Sequence, residues 1–389
     1  MEKVRFGIIG VGNMGSAHCK NILAGKVNNA ILTAVCDRKE SRLNAIKALE
    51  GAENVATFTD YHELLASGLV DVIIAAVPHY YHPPIVIDAL NAGIHAISEK
   101  PAGVYTKQVK EMNAVAEKSD KLFGMMFNQR TNCVYRKMHE MVENGELGEI
   151  KRVNWIITDW YRSQDYFDSG DWRATWGGEG GGVLFNQCPH QLDLLQWIVG
   201  MLPTKIHAHC HFGKWHSIEV EDDVTAYMEF PNGATGVFVT STADAPGTNR
   251  LEVTGTRGRL ICEYNKLTFD QLEVDEREFC KTAKAFTNPP KKTFVVETDG
   301  KNEQHVGILN NFVNAVLGKE PLFVKGVEGI NGVELMNAMM LSAWLDRAVE
   351  LPVDDALYLD ELNRRIAESK VVKEDVDVVL DTEGTYGAV

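Results

Sequence analysis

Short apolar runs alternate with amphipathic helical patterns through the first third of the chain. The runs are rich in β-branched residues, which favours buried strands, and they cover Val4–Ile9, Ile31–Cys36, Asp71–Val77, Ile94–Ser98 and Leu122–Met126. Helical patterns lie between them, the clearest over Arg42–Leu49, Pro83–Leu90 and Val109–Ala116. Strands that alternate with helices predict a doubly wound parallel sheet whose ligand lies at the carboxyl ends of the strands.

From about residue 128 the pattern changes to strands joined by short turns. One helix is predicted over Val134–Glu143 and two late helices over Glu303–Leu317 and Val327–Glu350. The predicted strands are Glu149–Trp160, Lys205–Phe212, Val224–Phe230, Ala234–Thr240, Arg250–Thr254 and Arg259–Tyr264. The Asn232-Gly233 pair between two of them is a strong hairpin signal. This part of the chain is therefore predicted to be α+β with a large, mostly antiparallel sheet.

Composition and charge exclude several classes of function. The chain has 389 residues, 45% of them apolar, and a formal net charge of −15 without a block of basic residues, which argues against binding to nucleic acid or to an anionic membrane. Its apolar runs are too short to span a bilayer, and the first strand begins too early for a signal peptide. The seven cysteines include no CxxC pair, so we expect reduced thiols and a cytoplasmic protein.

A glycine-rich turn directly follows the first predicted strand. It reads Gly10-Val-Gly12-Asn13-Met14-Gly15 and leads into a helical pattern. In this context the glycines permit a tight turn, a close approach of the backbone to a pyrophosphate, and close packing of helix on strand. The helix N-terminus then presents N–H groups to the phosphates. These residues predict a dinucleotide site.

The residue after the second strand bears on which dinucleotide binds. Asp37 is placed to accept hydrogen bonds from the adenosine ribose, which favours NAD. Arg38 could stack on adenine or hold a 2′-phosphate, so NADP stays open. We accordingly predict an NAD(P)-binding Rossmann domain over residues 1–127, a second domain over 128–370, and a peripheral acidic tail over 371–389.

Polar residues and prolines follow the later strands of the predicted parallel sheet. Because the carboxyl ends of these strands share one edge, we expect them near the cofactor; they include Pro78, His79, His82, Glu99, Lys100, Pro101 and Asn128. A Lys in a loop is usually a solvated charge. Its location at the cofactor edge gives Lys100 a second interpretation, in which it hydrogen-bonds a reacting hydroxyl and shares its proton if burial lowers its pKa.

The segment from Gly182 to Val199 reads as one helix with two distinct faces. Apolar residues form one stripe, while Asn186, His190 and Asp193 share another face, and Pro189 predicts a kink. Oxidation of an alcohol needs a group that takes the hydroxyl proton, and a neutral His suits that task near pH 7. The alternative is that His190 only caps or fills the helix.

Together these motifs resemble the Gfo/Idh/MocA family of sugar and inositol oxidoreductases. The resemblance rests on the Gly10–Gly15 turn, the Glu99-Lys100-Pro101 loop, the glycine-led segment with Asn186 and His190, and Gly255-Thr-Arg-Gly258. It implies a Rossmann domain paired with a domain built on an open sheet, which commonly forms homodimers or homotetramers. It also implies that Lys100 contacts the reacting hydroxyl and that His190 is the acid/base.

One position departs from the family pattern. Many members carry Asp four residues before the His, where this chain has Asn186, which can bind a sugar hydroxyl but supplies no charge to support His190. The surrounding run, with Trp172 and Arg173, resembles the glucoside and anhydrosugar 3-dehydrogenases. This implies that Trp172, Arg173 and Trp176 line the sugar or nicotinamide site, and that Asp193 also contributes to substrate binding.

Other candidate residues have simpler interpretations. His207, His209 and His211 alternate along one strand and share a face, but without a carboxylate or Cys on that face we expect a polar surface or an oligomer contact rather than a metal site. Cys36 and Cys188 are expected to be small core residues.

The leading hypothesis is an NAD(P)-dependent dehydrogenase that oxidises a secondary hydroxyl of a sugar, glycoside or cyclitol, with C3 of a glucoside as one such position. One alternative is a redox-neutral glycosidase or lyase that retains its NAD and oxidises C3 only transiently. Another is a cofactor-sensing regulatory protein without catalysis, which would have no need of Lys100 or His190.

Overall fold

The computed structural model describes residues 3–373. Its first half contains a six-stranded parallel sheet in the order β3-β2-β1-β4-β5-β6. The strands are β1 (Val4–Ile9), β2 (Ala30–Cys36), β3 (Ala56–Phe58), β4 (Val72–Ala75), β5 (His95–Ser98) and β6 (Phe123–Met125). This confirms the predicted doubly wound sheet. The strand order reverses between β1 and β4, which is where such sheets bind their ligands.

Five helices connect these strands. They are α1 (Asn13–Leu23), α2 (Glu40–Lys47), α3 (Tyr61–Ala66), α4 (His82–Asn91) and α5 (Thr106–Ala116), with a 3-10 turn at His79–Tyr81. The side chain of Asp60 caps α3 by accepting a hydrogen bond from the amide of His62 at 2.9 Å. Strands β1, β4, β5 and β6 are buried almost throughout, as expected for a parallel sheet covered on both faces, whereas the edge strand β3 is half-buried.

The second half contains a nine-stranded sheet in the order β14-β13-β12-β11-β7-β10-β9-β8-β15. The strands are β7 (Ile150–Ile157), β8 (Lys205–Phe212), β9 (Glu221–Glu229), β10 (Thr235–Ser241), β11 (Asn249–Gly255), β12 (Gly258–Glu263), β13 (Lys266–Leu272), β14 (Lys291–Val295) and β15 (Val349–Glu350). Only β7 and β10 pair in parallel; every other pair in this sheet is antiparallel. The prediction of a mostly antiparallel sheet is confirmed.

Seven further helices accompany this sheet. They are α6 (Cys133–Glu143), α7 (Gln164–Asp168), α8 (Pro189–Val199), α9 (Glu276–Thr282), α10 (Gln304–Val316), α11 (Gly329–Leu345) and α12 (Asp355–Glu368), with 3-10 turns at Asn128–Thr131 and Gly326–Glu328. None of the helices within residues 3–373 combines the length and the apolar composition that a membrane crossing requires.

The hairpin between β9 and β10 forms where it was predicted. Gly233 has φ = +81°, a conformation that glycine adopts without strain, and Thr235 pairs with Glu229 beyond the turn. On the neighbouring strand β8, Ile206 and Ala208 are buried while the intervening histidines are exposed. One face of this sheet therefore packs on the core and the other presents polar side chains.

Helix α11 joins the two halves of the molecule. It is buried along most of its length and packs on β8, α8 and α5. The side-chain amide of Asn337 accepts a hydrogen bond from the amide of Thr106 at 3.0 Å and donates one to the carbonyl of Val104 at 2.9 Å. Because these groups are buried, losing the Asn side chain would leave two backbone groups unpaired. The two sheets are thus held together beside the cleft described below.

Several elements were not predicted from the sequence, among them the short β3, α7, α9 and β15 as well as β13, β14 and α12. β14 is exposed at every position, so its sequence has no alternation of buried and exposed residues. β13 and α12 do show such a pattern, with Leu267 and Phe269 buried in the strand and Tyr358 and Leu362 buried in the helix. The predicted domain boundaries remain predictions, and residues 374–389 of the predicted tail lie outside the described residues.

Candidate active site

A cleft of about 1270 Å³ opens between the two halves of the molecule. One side is formed by the glycine turn and by the loops that follow β2, β4 and β5, and the other by residues between Trp160 and His190. Small-molecule pockets typically have volumes of about 300–1000 Å³, so this cleft has room for a second molecule beside a cofactor.

Each glycine of the turn after β1 has a different role. Gly10 has φ = +87°, and a Cβ there would lie 2.5 Å from the carbonyl oxygen of Ala76. A Cβ on Gly15 would lie 1.8 Å from the carbonyl oxygen of Gly10, so this position packs α1 closely on the turn. At Gly12 only Nη1 of Arg42 comes within 4 Å of a Cβ, at 3.7 Å. Gly12 therefore leaves the cleft open at the N-terminus of α1, where it is the N-cap residue and has no side chain to cap the helix.

Asp37 links the glycine turn to the end of β2. Its Oδ2 accepts a hydrogen bond from the amide of Val11 and its Oδ1 one from the amide of Lys39, both at 2.9 Å. Nη1 of Arg42 lies 3.8 Å from Oδ2. The N-terminus of α1, a glycine whose Cβ would approach only Nη1 of Arg42 among the described residues, and an adjacent carboxylate fit the phosphates and ribose of a dinucleotide. Arg42 was not predicted, although its position in the first turn of the helix after Asp37 is a signal for it.

The loop after β5 places Lys100 in the cleft. Glu99 is buried and its Oε1 lies 2.7 Å from Nε2 of His18 on α1. Burial alone would raise the pKa of Glu99, but the hydrogen bond and charge of His18 lower it to about 2. Nζ of Lys100 donates to the carbonyl oxygen of Asn186 at 2.8 Å. Burial lowers the pKa of Lys100, while the charges of Glu99 and Glu179 oppose that shift.

The predicted helix from Gly182 to Val199 is wrong over its first half. The chain runs through turns up to Cys188, and α8 begins at Pro189, because a proline is well accommodated at the first position of a helix. Asn186 therefore precedes α8, and the kink predicted at Pro189 is instead the start of the helix. The apolar stripe is still buried, since the turn packs into the core as well.

His190 lies in the first turn of α8 and lines the cleft. Its Nδ1 is buried and has no hydrogen-bond partner among residues 3–373. Burial, and then the positive charges of Lys100 and His305, lower the pKa of His190 well below its ordinary value. The imidazole is therefore neutral near pH 7 and able to accept a proton.

Glu179 supplies a carboxylate beside Asn186. Its Oε2 accepts a hydrogen bond from the amide of Ala174 at 2.6 Å, and its Oε1 accepts one from Nδ2 of Asn186. Since the backbone carbonyl of Asn186 also accepts from Lys100, Glu179 and Lys100 are linked through the side chain and the backbone of Asn186. Burial raises the pKa of Glu179 and the charge of Arg173 opposes that shift. Sequence reasoning did not find Glu179, because a single acid in a glycine-rich turn belongs to no periodic pattern.

Aromatic and cationic side chains form a wall of the cleft opposite the glycine turn. Cζ of Arg173 lies 4.6 Å from the ring centroids of both Tyr166 and Trp172. The ring of Trp172 meets the buried His79 edge-on at 5.5 Å between centroids, and Nδ1 of His79 lies 3.1 Å from the carbonyl oxygen of Glu179. This wall brings the predicted Trp172 and Arg173 together with Tyr166, which was not predicted.

Two family models match this chain. The one described as an oxidoreductase family with an NAD-binding Rossmann fold matches residues 4–127, and the GFO/IDH/MocA C-terminal domain matches residues 135–261. The chain belongs to the Gfo/Idh/MocA oxidoreductase family. It is therefore an NAD-binding oxidoreductase, as the glycine turn and Asp37 predicted.

Individual members of this family are similar over nearly their whole length. The myo-inositol 2-dehydrogenase of Thermotoga maritima is 27% identical, covering 90% of this chain and 98% of the relative. The D-glucoside 3-dehydrogenase of Escherichia coli is 25% identical, covering 90% and 97%. Among solved structures, the WlbA dehydrogenase of Bordetella pertussis in complex with NADH and UDP-GlcNAcA has a TM-score of 0.75 at 25% identity, covering 90% and 100%.

Most predicted site residues of this Gfo/Idh/MocA oxidoreductase lie in the one cleft. Among the described residues, those that line it are Gly10, Gly12, Asn13, Met14, Asp37, Arg38, Pro78, His82, Glu99, Lys100, Trp172, Arg173, Asn186 and His190. The ring nitrogens of His82 lie 2.7 and 2.8 Å from the carbonyl oxygens of Pro101 and Val77. His82 therefore connects two loops rather than offering a free polar atom to a ligand.

Four predicted residues lie outside the described cleft lining, and one of them, Gly15, packs α1 on the glycine turn instead. Asp193 is buried in an ion pair with Arg130, and Trp176 packs against Phe212 and Trp344. Asn128 is fully buried and donates a hydrogen bond to Gln304. These positions do not support direct substrate contact for Asp193 and Trp176 or cofactor contact for Asn128, and those roles stay predictions. Spacing along the chain identified the right region but not the direction of each side chain.

The end of the described chain also reaches the cleft. Ile366, Ser369, Val371 and Lys373 line it, and Nζ of Lys373 donates to the carbonyl oxygen of Phe167 at 2.6 Å. The segment that was expected to be peripheral from residue 371 thus begins as part of the site.

No group of three or more His, Cys, Asp or Glu within residues 3–373 is placed to hold a metal ion. His207, His209 and His211 lie on the exposed face of β8. Their proposed role as an oligomer contact stays a prediction.

Proposed function

We propose that this Gfo/Idh/MocA oxidoreductase moves hydride between NAD and a secondary hydroxyl of a sugar, glycoside or cyclitol. The observation that carries the proposal is that Lys100, from the first half, and His190, from the second, line the same cleft as Gly12 and Asp37. Two relatives are named as dehydrogenases of myo-inositol and of a D-glucoside, which supports this substrate class.

The residues around the glycine turn would hold the cofactor. Gly12 gives the pyrophosphate access to the N-terminus of α1, Asp37 would accept from the adenosine ribose, and Arg38 and Arg42 lie beside it. The negative charge of Asp37 would repel a 2′-phosphate, which favours NAD over NADP. When bound, the nicotinamide supplies the hydride acceptor.

Lys100 and His190, which line the same cleft, would handle the proton of the reacting hydroxyl. A neutral His190 accepts the proton that leaves the substrate hydroxyl. Lys100 donates one N–H to the carbonyl of Asn186, so its other donors can orient the same hydroxyl. The charge of Glu179, held on the amide of Asn186, stabilises the ammonium form of Lys100. Many family members carry a carboxylate at the position of Asn186. In this chain Glu179 would supply that negative charge near Lys100.

The aromatic wall suits a pyranose or cyclitol ring. The faces of Trp172 and Tyr166 can pack on the C–H side of such a ring, and Asn186 can bind a hydroxyl. Within this class we propose C3 of a glucoside as the oxidised position, supported by the similarity to the D-glucoside 3-dehydrogenase. Analysis of the ketone product by NMR tests the position independently of the rate measurements.

Initial rates of NADH and NADPH formation across free sugars, glycosides and inositols test the function. We expect turnover with NAD, and losses in kcat/KM of about 10²- to 10⁴-fold in Lys100→Met and His190→Gln. Lys118→Met and His62→Gln are matched controls, because both side chains are exposed and absent from the cleft lining. Near wild-type rates in both cleft variants would contradict the mechanism.

A further inference from the structure

Two arginines of the aromatic wall lie close to the ring of Tyr166. Cζ of Arg173 lies 4.6 Å from the centroid of the Tyr166 ring, and Cζ of Arg162 lies 5.1 Å from it. Arg162 is also 5.4 Å from the ring of Trp160. Both side chains are half-buried and line the cleft.

Neither guanidinium has a carboxylate partner within 4.0 Å in residues 3–373. Nη1 of Arg173 donates to the hydroxyl of Tyr166 at 3.0 Å, and Nη1 of Arg162 donates to the carbonyl of Tyr161 at 2.9 Å. A guanidinium has five N–H donors, so most of these donors remain for a ligand or solvent. By contrast, Arg130 and Arg250 are each paired with two carboxylates.

Carboxylates also line this cleft, among them Asp165, Asp171 and Glu219, but none in residues 3–373 lies within 4.0 Å of the Arg162 or Arg173 guanidinium. Both oxygens of Glu179 already accept hydrogen bonds, from Ala174 and Asn186. Lys100 and Lys373 add two further cations to the lining of the same cleft. The feature that points to an anionic ligand is therefore local: two neighbouring guanidinium groups in one cleft have donors that no carboxylate in residues 3–373 occupies.

From these contacts we infer that the substrate carries a fixed anionic group, bound by the free guanidinium edges of Arg162 and Arg173 while its ring packs on Trp172. This inference rests on the proposed function and narrows its substrate to a hexose or cyclitol that bears a carboxylate or a phosphate ester. The planar fork of a guanidinium matches either group with two parallel hydrogen bonds. Stacking on Tyr166 holds both forks in place before the ligand arrives.

Matched pairs of sugars test the inference by turnover. We expect kcat/KM to be at least about tenfold higher for glucuronate, galacturonate or glucose 6-phosphate than for glucose and galactose. Preference for the uronates over the phosphate ester would identify a carboxylate, and the reverse order a phosphate. In Arg173→Gln and Arg162→Gln, kcat/KM for the anionic sugar should fall about 10- to 100-fold, a clearly larger loss than that for the neutral sugar.

A control and a second readout separate this inference from the proposed function. Arg277→Gln removes a guanidinium from the exposed helix α9, outside the described cleft lining, and should leave the preference unchanged. Calorimetric titration of the same sugars into the enzyme measures binding without turnover. Binding of an anionic sugar that depends on Arg162 and Arg173 would support the inference even if no sugar reduced NAD. The lack of NAD reduction would then contradict only the dehydrogenase proposal.

Two results would overturn the inference. One is turnover of neutral sugars at rates equal to or above those of the matching anionic sugars. That result would leave the dehydrogenase proposal intact. The other is an equal loss for acids and neutral sugars in both arginine variants, which would mean that the guanidinium groups only support the aromatic wall. Circular dichroism and melting temperatures of both variants exclude unfolding as the cause.

Discussion

The buried ion pair between Asp193 and Arg130 gives a sharp test of which residues serve the fold and which serve the site. Nε and Nη2 of Arg130 donate to the two carboxylate oxygens of Asp193 at 2.8 and 2.6 Å. Both side chains are 1% exposed. Nη1 of Arg130 also reaches Glu328 at 2.6 Å. Asp193 was expected to bind substrate, but this geometry makes it a structural residue.

The size of the effect follows from the burial of the pair. Breaking a fully buried ion pair by removing one charge costs about 3–5 kcal/mol. In Asp193→Asn, Arg130 keeps Glu328, which is 32% exposed, so we expect the lower end, about 3 kcal/mol. At about 2–4 °C per kcal/mol for a domain of this size, the melting temperature should fall by roughly 6–12 °C.

A double-mutant cycle is the appropriate assay. Asp193→Asn, Arg130→Gln and the double variant are compared by thermal and urea unfolding, together with KM for the sugar. We expect the double variant to lose less stability than the two single losses combined. Glu278→Gln is the control, because its pair with Lys281 is exposed and should contribute less than about 1 kcal/mol. An unchanged melting temperature with a raised KM would refute this reasoning and return Asp193 to the substrate site.

Three further predictions concern the cofactor, the proton chemistry and stability. Gly12→Ala should weaken NAD binding about tenfold or more without unfolding the protein. Gly15→Ala should instead destabilise the fold, because the added Cβ would lie 1.8 Å from the carbonyl oxygen of Gly10. Calorimetry of NAD binding and thermal melts distinguish the two effects. Glu179→Gln removes a charge that raises the pKa of Lys100, so the Lys100-dependent limb of the pH–rate profile should move to lower pH; an unmoved limb would count against the positioning role of Glu179. The pKa of Glu99 is lowered from 4.5 to about 2 in the folded protein, so its contribution to stability is present above about pH 4.5 and is lost as the pH falls towards 2. The stability difference between wild type and Glu99→Gln, measured by urea unfolding, should therefore shrink between pH 7 and pH 3.

The first half of the fold could be predicted because its signals are local. Buried parallel strands are continuous apolar runs, and each of Gly10, Gly12 and Gly15 has a steric reason within a short stretch of chain. Lys100 could be placed at the cofactor edge because it follows a strand whose direction was known. These inferences need only the order of elements along the sequence.

The rest of the site depends on contacts between distant parts of the chain. Pro189 was compatible with a kink or with a helix start. The packing of the preceding turn against Glu221 decides between them. The side-chain oxygens of Glu221 accept hydrogen bonds from the amides of Gly182 and Leu184 at 2.8 and 3.0 Å. Asp193 fell on the helical face of His190 by spacing, but Arg130 draws it into an ion pair. No periodic signal marks such partners.

The carboxylate beside Asn186 is another feature that the sequence did not reveal. Asn186 suggested a site without the usual carboxylate, and the structure places Glu179 against it instead. Likewise, Lys373 lies in a segment whose composition suggested a peripheral tail, yet it lines the cleft. In both cases the spacing of residues along the chain gave no sign that the side chain would reach the site.

Isotope transfer tests the central claim most directly. A substrate sugar deuterated at the carbon that bears the reacting hydroxyl is incubated with enzyme and NAD, and the reduced cofactor is examined by mass spectrometry and NMR. Direct hydride transfer predicts one deuterium on C4 of the nicotinamide, and predicts that Lys100→Met and His190→Gln form this product far more slowly. Ketone formation without deuterium in the cofactor, or no reduced cofactor with any sugar of the panel, would contradict the account.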